Sequence, residues 1–267
     1  MKKTVPFLLL VILFAAAAWY SFIKEPDAIH ELPPPSVPPA AMPVTEQQPQ
    51  PVPQDENIMA YIEPEPEIIP DPLPPLNESD VEVTQALAEI VGADPLAEYL
   101  VKSQAISRMV VTVDRLTSRQ VSAQINPVKP AADKFIVDTE GEIVVLSAKN
   151  FARYDGHVAL IQNADTEMLV ALYQRYSPLF QTAWEENGGE GLFNDRLLEV
   201  IDHLLETPDV PGPIYLSKPE AVYLFEEPEL EAMTAGQKIL VRMGGVNAAV
   251  VKEKLAELKQ GIQPQRE

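Results

Sequence analysis

Cysteine is absent from all 267 residues. That excludes disulfides, thiol nucleophiles and thiolate metal sites. Histidine is nearly absent too: His30, His157 and His203 are the whole set, too few to build a zinc site unaided by cysteine. Lys and Arg are missing from residues 25–101, which carry 16 acidic side chains. The run from Val5 to Ile23 holds no Asp, Glu, His, Lys or Arg, so it lacks the intramembrane ionisable group that usually marks a proton or ion pathway. Motifs with a known chemistry are missing as well. The chain has no phosphate-binding or dinucleotide-binding glycine loop, no G-x-S-x-G elbow and no H-E-x-x-H, and its S-x-x-K spacing, Ser21–Lys24, falls at the end of the apolar run.

What is present begins with Lys2 and Lys3, the apolar run Val5–Ile23, and Lys24. Nineteen residues of helix rise roughly 28 Å, close to the ~30 Å hydrocarbon core of a bilayer. Trp19 and Tyr20 followed by Lys24 fit an interfacial aromatic belt with a snorkelling cation. Residues 1–24 are therefore expected to form a single N-terminal transmembrane helix, with membrane contact through residues 5–23. The basic residues keep the N-terminus cytoplasmic and place the rest outside the cytosol. The run Ala15–Ala18 leaves a second reading open, a secretory leader cleaved after those alanines. Both readings export the bulk of the chain.

Residues 25–76 are rich in proline from Pro26 to Pro75. Proline removes backbone donors and favours polyproline II, so this segment reads as a linker. Its reach if fully extended is on the order of 160 Å. Most of the net charge of −20 falls on residues 25–101, which include this linker. Self-repulsion extends such a spacer and holds it off an anionic surface. Nucleic acid is not an expected partner, because the basic footprint it needs is missing.

Residues 77–262 have the composition of a folded domain, followed by a short tail over 263–267. The expected class is mainly α with a small antiparallel β component, that is, α+β. Ser79 and Glu82 have capping-box spacing for a first helix. Asp94-Pro95 predicts a second, with Asp94 as N-cap. A third is expected over 104–116. Phe135–Val137 and Ile143–Leu146 flank Gly141 as a hairpin. One helix is expected over 150–162, then a long one capped by Asp165 that Pro178 should kink or break. Leu197, Leu198, Ile201, Leu204 and Leu205 predict the apolar stripe of a helix over 193–206. Short β-like runs at 214–216 and 221–225 precede helices over 228–233, 236–243 and 246–259.

Four side chains stand out as candidate ligand or partner contacts: Arg153, Gln237, Lys238 and Arg242. Lys238 and Arg242 are i, i+4 neighbours and share a helix face; Glu226, Glu227, Glu229 and Glu231 lie just upstream. The same pattern fits an ion-pair lattice fixing that helix. Glu185, Glu186 and Glu190 beside the glycine-rich loop could supply the two carboxylates of glycan cleavage. Asp138, Glu140 and Glu142 miss the EF-hand spacing. His203 reads as a hydrogen-bonded helix residue. No catalytic residue, metal site or cofactor is assigned.

Asn150–Tyr154, Phe193–Arg196 running on to Ile201–Pro208, and Tyr223–Gly244 resemble the bacterial domain-of-unknown-function 3014 family. The likeness extends over roughly residues 72–260. It departs at Thr117-Ser118-Arg119, where the family tends to have a proline-containing turn. The resemblance implies a bacterial envelope location and no reaction; with the anchor reading, the expected place is the inner membrane, single-pass, with a periplasmic C-terminal domain. The leading expectation is a membrane-anchored, extracytoplasmic interaction or scaffolding protein whose partner is an envelope protein or cell-wall component. The alternative is an envelope hydrolase using carboxylate acid–base chemistry. An energy transducer is disfavoured by the ionisable-free run.

Overall fold

The computed structural model describes residues 72–263, apart from 102, 123, 124, 132, 133, 220 and 221. The leader over residues 5–23 and nearly all of the proline-rich linker lie outside the described residues. Among those described, no helix is long and apolar enough to cross a membrane. They are mainly helical, with two small antiparallel sheets.

A 3-10 turn, Leu76–Glu78, leads into α1 (Asp80–Val91) and α2 (Ala93–Tyr99). The capping box expected at Ser79 is not formed. Ser79 has helical dihedrals, and its hydroxyl donates back to the Leu76 carbonyl at 2.8 Å. Asp80 and Glu82 are used instead in contacts across the fold. Asp80 accepts the backbone N–H groups of Gln104 and Ala105, capping α3 (Ala105–Arg115) from 25 residues away. Glu82 accepts the Tyr176 hydroxyl at 2.6 Å. The second helix starts at Gly92 (φ 89°) rather than at Asp94, which falls within its first turn.

The hairpin forms as β1 (Val137–Glu140) and β2 (Ile143–Leu146), with Gly141 at φ 61° in the turn. The helix expected over 150–162 is two pieces, α4 (Lys149–Ala152) and α5 (Asp155–Asn163), broken at Arg153 and Tyr154. Then comes α6 (Thr166–Glu186), capped by the Asp165 side chain accepting from Met168 N at 2.9 Å. Pro178 lies inside α6 and does not break it. Proline 178 cannot donate to the Gln174 carbonyl, and the Ser177 hydroxyl does so instead at 2.9 Å.

Gln181 joins α6 to α7 (Phe193–Leu205) by accepting Phe193 N at 2.8 Å. The stripe on α7 is rotated from expectation. Phe193, Leu197, Val200, Ile201 and Leu204 are buried, whereas Leu198 and Leu205 are half-buried. Each fully buried aliphatic side chain contributes about 1.5–3 kcal/mol. After β3 (Leu216–Ser217) and β4 (Leu224–Phe225) come α8 (Pro228–Ala232), α9 (Ala235–Arg242) and α10 (Gly245–Ile262).

Helices α3, α6, α7 and α10 pack on one another around the main core. Leu73 and Leu76, at the end of the proline-rich segment, pack against it. A second, smaller core of Leu146, Ile214, Leu216, Phe225, Leu230 and Val241 lies beneath the strands. It positions the polar cluster on α9.

Candidate functional site

Thr234 and Gln237 form a reciprocal capping box that starts α9. The His203 Nε2 and Thr234 Oγ1 are 2.9 Å apart, and Gln237 Nε2 donates to His203 O at 3.4 Å. Gln237 and His203 thus anchor a helix start on α7. Gly236 is required by close approach, since a Cβ there would stand 2.5 Å from the Leu204 side chain and 3.1 Å from the Leu116 carbonyl.

Lys238 and Arg242 do share a face of α9, and that face turns inward: they are 3 % and 2 % exposed. Lys238 Nζ is paired with Glu231 Oε1 on α8. The other oxygen of Glu231 accepts Phe225 N at 2.9 Å, so one carboxylate ties β4 to α9. The Arg242 guanidinium carbon lies 5.2 Å from the Phe225 ring centroid, a cation–π contact. Burial lowers the Lys238 pKa, opposed by Glu231 and assisted by the Arg242 and Arg119 charges. Burial also lowers Arg242 to about 10, opposed by Tyr154 and Glu231. Tyr154 is raised by burial, against the fields of Arg153 and Arg242. Glu226, Glu227 and Glu229, the other acids upstream of α9, are exposed.

Arg153 is half-buried and donates from Nη1 to Asn150 Oδ1 at 3.0 Å. The same Asn150 oxygen accepts Ile136 N at 3.0 Å, which fixes the base of β1. Gln237 belongs to the α7 contact, and none of the four candidates lines any of the five described cavities. The first cavity, about 210 Å³, has Lys252 and Asp209 in its wall, and these pair at 3.1 Å.

The carboxylates of the glycine-rich loop are exposed. Glu185 accepts from Gln181 Nε2 at 2.8 Å, and the Glu190 carbonyl accepts from Trp184 Nε1 at 3.2 Å. That loop is wrapped on Trp184. Glu186 lines a cavity of about 420 Å³ with Asp80, the carboxylate already engaged by α3. Among the described residues no group of three His, Asp or Glu is placed to hold a metal.

One surface had no counterpart in the sequence reading. Tyr215 is bridged to Val145 of β2, is 47 % exposed, and lines two adjoining grooves of about 520 and 240 Å³. The signal available was the alternation of Asp138, Glu140, Ile143 and Val145. It becomes readable only once the partner of β2 on its far side is known.

Arg196 donates from Nε to Asp114 Oδ1 at 2.9 Å and from Nη2 to Thr117 Oγ1 at 2.6 Å, holding the end of α3. In the turn after α3, Ser118 O accepts Ala235 N at 2.8 Å. A family model described as "Protein of unknown function (DUF3014)" matches residues 105–259, more than half the chain. The chain belongs to that family. The match leaves out α1 and α2, which the likeness read from sequence had included. No curated protein and no solved structure matches the chain.

Proposed function

We propose that this member of the family is a membrane-anchored interaction or scaffolding protein of the bacterial envelope, its domain on the extracytoplasmic side of the inner membrane. The anchor is the apolar run Val5–Ile23, and the acidic proline-rich segment is the spacer. The partner is an envelope protein or a cell-wall component.

The observation that carries this reading is the inward closure of the strongest cations. Lys238 and Arg242 are buried against Glu231 and Phe225, where they join β4, α8 and α9 and meet no solvent. Side chains used this way serve to hold a shape. Apolar side chains meanwhile stand at the surface, with Ile143 54 % and Tyr215 47 % exposed.

The test is fractionation of cells at alkaline pH, protease treatment of spheroplasts, and pull-down of the detergent-solubilised full chain against envelope extracts and purified peptidoglycan. The expected result is a pelleted full-length chain, cut only from outside, that reproducibly enriches one component. Recovery of full-length chain in the cytosolic supernatant, or enrichment of neither class, contradicts it.

A further inference from the structure

The register of the hairpin sorts its side chains onto two faces. Glu140 pairs with Ile143 and Asp138 with Val145, so these four share one face; Val137, Val144 and Leu146 take the other. That second face packs on the smaller core with Ile214 and Phe225. The first has no layer over it among the described residues. Tyr215 extends it, because Val145 is bridged to Tyr215 on the side away from β1.

The result is an apolar strip of Ile143, Val145 and Tyr215 bounded by carboxylates. The groove of about 520 Å³ along the hairpin contains Asp138 and Glu140. The adjoining groove of about 240 Å³, which shares Tyr215, contains Glu226 and Glu227 with two prolines. The two linings together hold four carboxylates and no Lys, Arg or His.

We propose that this outer face, with Tyr215 at its centre, is a docking groove for a cationic polypeptide segment in which Lys or Arg alternates with apolar residues. The proposal rests on the interaction reading above and names the chemistry of the partner. Charge decides among the occupants. Opposite charge steers and aligns a cationic segment, while like charge rejects the wrong partner. Residues 25–71 of the chain itself carry acidic side chains and no Lys or Arg, so they have the wrong sign. An anionic lipid surface has the wrong sign too. An extended segment with period two presents its apolar side chains to Ile143, Val145 and Tyr215 and keeps its cations near Asp138 and Glu140.

The test uses the full chain in non-ionic detergent and fluorescence anisotropy of a labelled octapeptide alternating lysine with valine. Two further probes are its glutamate-for-lysine counterpart and octalysine. Saturable binding of the lysine–valine peptide is expected. The glutamate peptide should not bind, and octalysine should bind at least tenfold more weakly. Tyr215→Ser, and Asp138→Lys combined with Glu140→Lys, should each weaken binding at least tenfold with an unchanged thermal midpoint. Glu185→Lys should leave it unchanged.

The groove is overturned if the lysine–valine peptide shows no saturable binding, if octalysine binds equally well, or if the Tyr215 and Asp138/Glu140 variants bind like the parent chain. If the groove fails while the full chain still retains an envelope component, the interaction reading stands. If that retention fails as well, both are lost.

Discussion

Glu231 and Lys238, seven residues apart, form an ion pair in which the lysine side chain is 4 % exposed and the carboxylate 31 %. Because the second Glu231 oxygen holds the Phe225 amide, this pair links the small sheet to α9. Removing one partner of a buried pair strands the other charge. Glu231→Gln should therefore destabilise the chain by about 3 kcal/mol, at the low end of the buried-pair range because the carboxylate is partly solvated. The double change Glu231→Gln with Lys238→Met should cost less than Glu231→Gln alone. Chemical denaturation of the single and double variants checks this.

Asp80 caps α3 across the fold, accepting Gln104 N and Ala105 N at 2.7 Å each. Asp80→Ala should cost about 1 kcal/mol, the usual price of a lost cap. Gln104 itself has a left-handed φ of 52°, a conformation that costs a side-chain-bearing residue about 1 kcal/mol. Gln104→Gly should consequently raise the thermal midpoint. A lowered midpoint would show that the Gln104 side chain makes up for its backbone.

Ser177 and Pro178 form a compensating unit in α6. With the serine hydroxyl on the Gln174 carbonyl, Ser177→Ala should destabilise by roughly 0.5–1 kcal/mol. In a Pro178→Ala background the restored N–H serves that carbonyl, and the serine substitution should become neutral. A double-mutant cycle with no coupling would contradict this account of the uninterrupted helix.

His157 is 5 % exposed, and its ring centroid lies 4.4 Å from that of Tyr99. Burial lowers its pKa below the ordinary 6.5, against the opposing effects of the Lys129 backbone and Glu98. The unfolded chain then binds more protons than the folded one between the depressed value and 6.5. Stability should fall as pH drops from 6.5 toward that lower value, and His157→Phe should flatten this part of the profile. Parallel profiles for the two proteins would remove His157 as the cause.

Local chemistry was legible where it is self-contained. The Gly141 turn and the Asp165 cap follow from residues adjacent in sequence. Ser79 failed because its carbonyl partner at Leu76 competes with the capping geometry, and Pro178 does not break α6 because Ser177 serves the carbonyl that the proline cannot. Periodicity placed Lys238 and Arg242 on one face of α9, but it cannot say whether that face meets solvent or Phe225. The Tyr215 surface was illegible for a related reason. It depends on residues 214–217 lying beside β2, a pairing between segments some 70 residues apart.

The docking face around Tyr215 is tested most directly by site-specific photo-crosslinking in intact cells, with a photoreactive phenylalanine in place of Tyr215. The same probe at Val246, 83 % exposed on α10, serves as the comparison. The expected result is a discrete adduct at position 215 and none at position 246, lost when Asp138 and Glu140 are both changed to Lys. No adduct at 215, or an adduct at 246 alone, would contradict it.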